Sequence, residues 1–325
     1  MKRWLRVAAT LIVTAAAVAY IVSKVDLGKT GRIIGDASVP WLAVSGLLTL
    51  ITVPPTAWRW KMLLRVRGVE EDVPWLTRAY FVSYAVGQVL PTSVGGDASR
   101  IFETSRRHPG RITPITGSVL LERALGGAVT LLLAGIGLLL AIGRYPIGAY
   151  LWLEAVFVAG TIVVAFVFFS RRVRSKLRFA LPYARRWRLE PAARAVYDGL
   201  HGYRDHPGTL LNVALITAGA QFVRVLAIYA SGRAVGIHLA LLPYVVLGPL
   251  LFLVMLVPFT VNGLGVREAF FVSFLGKLGV THDAAFACGL LFFVSTILLA
   301  LPGVAVLLWE NVFSRTRMPV RDGTV

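Results

Sequence analysis

Acid is scarce in this chain. Asp and Glu together number 16 against 34 Lys and Arg, and only 15% of the 325 residues are charged. A soluble domain carries about 25%. With 57% of residues hydrophobic, soluble classes are excluded and a polytopic, all-α membrane protein is expected. Cysteine is nearly absent. Cys288 stands alone in an apolar run, which excludes a disulfide framework and a thiolate metal site and leaves a packing role. Of the five histidines, His108, His201, His206, His238 and His282, only His201 and His206 come near metal-ligand spacing, five residues apart. No nucleophile elbow, P-loop or zinc motif appears. Neither catalysis nor a cofactor is therefore expected.

Long apolar runs are what the chain does have. Val7 to Val22 follows Lys2, Arg3 and Arg6. Ala17-Val18-Ala19 would suit signal cleavage, but a retained helix fits a chain whose later segments all belong to a membrane. Further spans are expected at Pro40 to Ala57, Ile115 to Ile142, Tyr150 to Phe169, Thr209 to Ser231 and Ala284 to Trp309. The first of these ends in Trp58-Arg59-Trp60-Lys61, read as an interface anchor. Ala79 to Leu90 is apolar but only 12 residues long, short of the roughly 20 that cross a bilayer. It reads as one arm of a re-entrant hairpin. Leu239 to Val257 is read the same way, although it is long enough to cross alone. About six full spans plus two such hairpins are expected.

The net charge of +18 could suggest nucleic acid, but loop bias explains it and no nucleic-acid partner is expected. Arg171 to Arg188 holds eight basic residues and no acid, so the connector at about 171–208 is placed in the cytoplasm with both termini. Six cations then lie outside (Lys24, Lys29, Arg32, Arg144, Arg233 and Lys277), three lie at membrane depth (Arg123, Arg224 and Arg267), and 25 of 34 face the cytoplasm, as the positive-inside rule requires.

One pattern occurs twice. Arg59, Gly68, Pro74, Pro91, Gly96 and Arg100 are answered by Arg224, Gly236, Pro243, Pro258, Gly263 and Arg267. The gaps are 9, 6, 17, 5 and 4 against 12, 7, 15, 5 and 4. The single membrane domain, 1–325, is therefore read as repeat one at about 40–142 and repeat two at about 209–309. By the charge bias the repeats are inverted. Broken apolar segments at corresponding places in two halves point to a transporter's binding site. The breaks are assigned to Pro91, Gly95 and Gly96, and to Pro258, Asn262, Gly263 and Gly265.

Charged residues at membrane depth are functional suspects by default. Arg59, Arg100, Arg224 and Arg267, facing one cavity, would make a four-cation lining suited to phosphate, which an arginine fork grips bidentately; four unrelated interface arginines are the alternative. Asp97 would cap a helix and Arg100 would pair with Glu103 along it. Glu122 and Arg123 are adjacent, so each needs a partner elsewhere. Asp97, Glu103, Glu122, Arg123 and Glu268 are assigned to charge balance or proton coupling.

At Arg59 in Trp-Arg-Trp-Lys, Pro91 with Gly95-Gly96-Asp97 and Arg100, Glu122-Arg123, and Asn262-Gly263-Leu264-Gly265-Val266-Arg267-Glu268, the chain resembles the flippase-like membrane domain of the lysyl-phosphatidylglycerol synthase superfamily. The resemblance runs from about Val7 to Trp309 and implies lipid translocation in the inner, or plasma, membrane through paired re-entrant helices. The chain stops about 16 residues after Trp309, without an aminoacyl-transferase domain, so lipid aminoacylation is not expected. The expected substrate is an anionic or glycosylated membrane lipid, and the expected partners are a separate lipid synthase or further copies of the chain. A small-solute or ion-coupled transporter, and an enzyme or subunit acting on polyprenyl-linked sugars, stay open as alternatives.

Overall fold

The computed structural model describes residues 19–89, 95–146, 148, 150, 152, 155–159, 202–203, 205–256 and 265–315. Pro91, Pro258, Asn262 and Gly263 lie outside them, as do residues 1–18 and most of the 171–208 connector. Every regular element among the described residues is a helix: α1 (Leu27–Gly35), α2 (Val39–Ile51), α3 (Val53–Val66), α4 (Val73–Val89), α5 (Gly95–Arg107), α6 (Ile112–Ala141), α7 (Pro207–Ala234), α8 (Leu241–Leu256), α9 (Val266–Gly276), α10 (His282–Ile297) and α11 (Ala300–Arg315).

The chain forms an integral membrane protein. Val39–Val66, Ile112–Ala141, Pro207–Ala234 and His282–Glu310 are each long and apolar enough to cross a bilayer. Exposed leucines such as Leu132, Leu139, Leu211, Leu215 and Leu301 suit contact with lipid tails.

The first of these spans outruns the expected stop at Ala57. Pro54 and Pro55 end one helix but open the next, because the first turn of a helix has no use for their missing N–H groups. The rod is therefore interrupted only at Thr52 and continues to Val66. Hydroxyls satisfy carbonyls around this interruption: Thr49 donates to Ser45 O, Thr52 to Thr49 O and Thr56 to Thr52 O, at 2.7–2.8 Å. The continuation changes the meaning of Trp-Arg-Trp-Lys. Trp58 is 55% exposed, but Arg59 and Trp60 are buried, so these two point into the protein instead of anchoring it at an interface.

Lengths repeat along the chain. A 28-residue rod, α4 (17), α5 (13) and α6 (30) are followed by α7 (28), α8 (16), α9 (11) and the 29-residue α10–α11 rod. The α4–α5 pair is an antiparallel helical hairpin. Contacts run from Ser83 with Gly96, through Tyr80 with Arg100 and Arg78 with Glu103, to Glu71 with Arg107. Gly95 and Gly96 lie at the start of α5, and a Cβ on Gly96 would lie 2.5 Å from Ser83 O.

The two halves pack reciprocally. Their first rods lie antiparallel: Ser38 N–H donates to Ala234 O at 2.9 Å, Ser45 meets Ser231 at 2.9 Å, and Arg59 donates to Thr217 at 2.7 Å. The last rod of each half packs on the second helix of the other. Gly137 of α6 meets the backbone of Val245 in α8, and Gly303 of α11 meets the backbone of Phe81 in α4. Gly137 lies 37 residues after Arg100, and Gly303 lies 36 after Arg267. Between lipid-embedded helices the hydrophobic effect offers little drive, so small residues that admit close backbones carry the association. Buried hydroxyls add to it where Ser45, Ser231 and Ser295 meet from three helices; such bonds contribute about 0.6–2 kcal/mol each.

Side chains divide the interior. The second half and the end of α6 share an apolar core of Leu138, Ile228, Tyr244, Leu247, Phe271, Cys288 and Phe292. The first half builds its core around Trp60, Tyr80, Ile115 and Val119, and there the charges gather.

Candidate functional site

Four elements of the first half aim polar groups at one point. Glu122 projects from α6, eight residues past Pro114 and deep enough to be 5% exposed. It accepts from the Arg59 guanidinium of α3, from Tyr80 Oη of α4 at 2.5 Å and from Arg100 Nη1 of α5 at 2.8 Å. Arg100 also donates to Tyr80 Oη at 2.8 Å and to Asp97 at 3.0 Å. Its guanidinium lies 4.6 Å from the ring centres of both Trp60 and Tyr80, in reach of a cation–π attraction that desolvation strengthens. Trp60 is held by its own indole N–H, which donates to Ser118 Oγ at 2.9 Å. Arg123 pairs with Asp97. Thr217 of α7 accepts from Arg59 and so ties the second half to the cluster.

Burial makes these pairs mutually dependent. Neither an unpaired carboxylate nor an unpaired guanidinium is tolerable here, and breaking one buried pair costs about 3–5 kcal/mol by leaving its partner uncompensated. Glu122 can satisfy two arginines because a carboxylate offers two oxygens with about four lone-pair sites. The cluster is a charged, nearly closed junction of α3, α4, α5 and α6.

Arg59, Arg100, Asp97, Glu122 and Arg123 thus come together. Arg224 and Arg267 do not join them. Arg267 pairs with its neighbour Glu268 (Nε to Oε1, 2.8 Å) and sits 4.1 Å from the Phe293 ring centre. The other oxygen of Glu268 accepts from Gly265 N–H at 2.8 Å, where Gly265 takes φ +83°, a conformation other residues rarely adopt. Arg224 meets Gln221 at 3.3 Å and the Phe252 ring at 6.0 Å. Glu103, expected to pair with Arg100, pairs with Arg78 at 3.1 Å instead, and Arg78 reaches on to Glu310 of α11. Asp97, expected as a cap, accepts from two arginine side chains.

Tyr80, Ser118, Thr217 and Arg78 were not singled out in the sequence. Trp60 was read only as part of an interface anchor; proline in the first turn of a restarted helix would have put it inside a span.

Long apolar rods around short, polar-lined helices, with ion pairs buried between them, define an α-helical integral membrane protein that holds charge within the bilayer. The chain belongs to the family of the lysylphosphatidylglycerol synthase TM region, whose model matches residues 6–303. It is also similar to the glycosyltransferase AglD of Haloferax volcanii, at 27% identity over 107 residues, 33% of this chain and 17% of that protein. The chain thus matches only a minor part of that relative's length.

Proposed function

We propose that this chain moves an anionic or glycosylated lipid between the leaflets of the inner, or plasma, membrane. The observation that carries the reading is the reciprocal packing of two halves with the same order of helix lengths, meeting beside a buried ion-pair cluster. In this reading the halves are inverted repeats, α4–α5 and α8–α9 are re-entrant hairpins opening to opposite sides, and both termini face the cytoplasm. Rocking of one half against the other exposes a headgroup path to each side in turn. Arginines at membrane depth meet the headgroup, and the acids balance them. The chain acts as a carrier, not an enzyme, and receives its lipid from a separate synthase or works beside further copies of itself.

The test is transbilayer movement of labelled lipid in proteoliposomes. The expected result is movement well above protein-free vesicles, abolished by Glu122→Gln. Movement no faster than in protein-free vesicles, across anionic and glycosylated lipids, would contradict the reading.

The similarity to a glycosyltransferase favours a second reading, a membrane component of sugar transfer on a lipid carrier. Turnover of a lipid-linked sugar by the purified chain would support it over the first.

A further inference from the structure

The halves distribute their charges unequally. In the first, Arg59, Arg100 and Arg123 share Glu122 and Asp97. In the second, Arg267 takes Glu268, and Arg224 has no carboxylate partner among the described residues. In the repeated Pro, Gly and Arg pattern, Arg224 answers Arg59. The acid that serves Arg59 has no counterpart: Glu122 lies 22 residues past Arg100, and the residue 22 past Arg267 is Gly289. A Cβ there would lie 3.0 Å from the Phe271 ring, so the apolar core already fills the place.

Arg224 is also deep. It lies about 25 Å along α7 from Pro207 and about 15 Å from Ala234, at roughly 1.5 Å per residue. A cation at such depth requires a counter-charge or a wet cavity. Its contacts among the described residues are to neutral groups, Gln221 and the Phe252 ring. Gln221 donates its amide N–H to Thr130 Oγ1 at 2.6 Å and turns its oxygen to Arg224. Space is at hand as well: on α6, Gly126 and Gly127 precede Thr130 and have nothing within 4 Å of where a side chain would project.

We propose that Arg224 is a phosphate-binding subsite, gripping the phosphate oxygens of an anionic lipid headgroup held within the membrane beside α6. The lipid as source of the phosphate rests on the lipid-moving reading. Arg59 and Arg100, both paired with Glu122, hold the junction, while Arg224 has no such carboxylate among the described residues.

The experiment places the purified chain in mixed micelles of phosphatidylglycerol and phosphatidylcholine and counts retained lipid by native mass spectrometry. The wild type is expected to retain phosphatidylglycerol preferentially, and Arg224→Gln to lose that preference by about tenfold or more. Arg224→Lys keeps the charge but not the fork and is expected to weaken retention several-fold; it decides the matter if Arg224→Gln does not fold. An undiminished preference in either variant overturns the subsite. Displacement of the lipid by millimolar inorganic phosphate alone would assign the site to a free anion and overturn the lipid source. Transport is read separately. A preference lost in Arg224→Gln while the wild type moves no lipid removes the transport reading and leaves the subsite. Transport with the preference intact in Arg224→Gln removes the subsite and leaves the transport.

Discussion

Within the first half ion pairs run between helices, whereas the pair that lies within the second half among the described residues, Arg267 with Glu268, stays in one turn. Glu122 binds α6 to α3, α4 and α5 at once, but Glu268 and Arg267 are neighbours at the start of α9. A shared carboxylate welds elements together, and a local pair leaves its helix free to shift as a body. The same order of long and short helices can therefore support a fixed side and a movable one. The apolar, phenylalanine-rich packing around α9 agrees, since such surfaces slide with fewer directional bonds to break.

Substitutions at equivalent places should break this comparison or sharpen it. Glu122→Gln removes the charge that two buried arginines share, with an expected loss of about 3–5 kcal/mol, read as a lowered midpoint of thermal unfolding in detergent. Glu268→Gln is expected to cost less than half as much, because it frees one arginine within a single helix. Equal losses would erase the distinction between the halves. Next come the glycine contacts. A Cβ on Gly303 would overlap Phe81 O, whereas one on Gly137 would lie 2.9 Å from Val245 O. Gly303→Ala is expected to destabilise by about 1–3 kcal/mol, and Gly137→Ala by less, on the same assay. Tyr80→Phe deletes the hydroxyl between Arg100 and Glu122 and is expected to cost about 1 kcal/mol, with little effect from Tyr244→Phe, whose hydroxyl is buried without a partner among the described residues.

Rarity made the cluster's members legible. In a chain so poor in charge, Glu122 and Arg123 stand out inside an apolar stretch, and Arg59 and Arg100 stand out by their place in the repeated pattern. Their pairings were not legible, because spacing along one helix reports only local neighbours. It favoured Arg100 with Glu103, while the folded chain gives Arg100 to Asp97 and Glu122 and Glu103 to Arg78. The long rods followed from their length, but the restart at Pro54 did not, since proline both ends and begins helices. The Pro, Gly and Arg offsets suggested a duplication, and the order of helix lengths agrees with that reading. The packing of each last rod on the other half's second helix was not legible, because it depends on close approach at Gly137 and Gly303, two of 31 glycines in the chain.

The proposed inverted arrangement of the halves has a direct test. In a Cys288→Ser background, single cysteines at Glu70, in the turn between α3 and α4, and at Lys277, just after α9, are labelled with a membrane-impermeant thiol reagent in intact cells and in inverted vesicles. The expected result is labelling of position 277 only from outside and of position 70 only from the cytoplasmic side. Labelling of both from the same side would contradict the inversion.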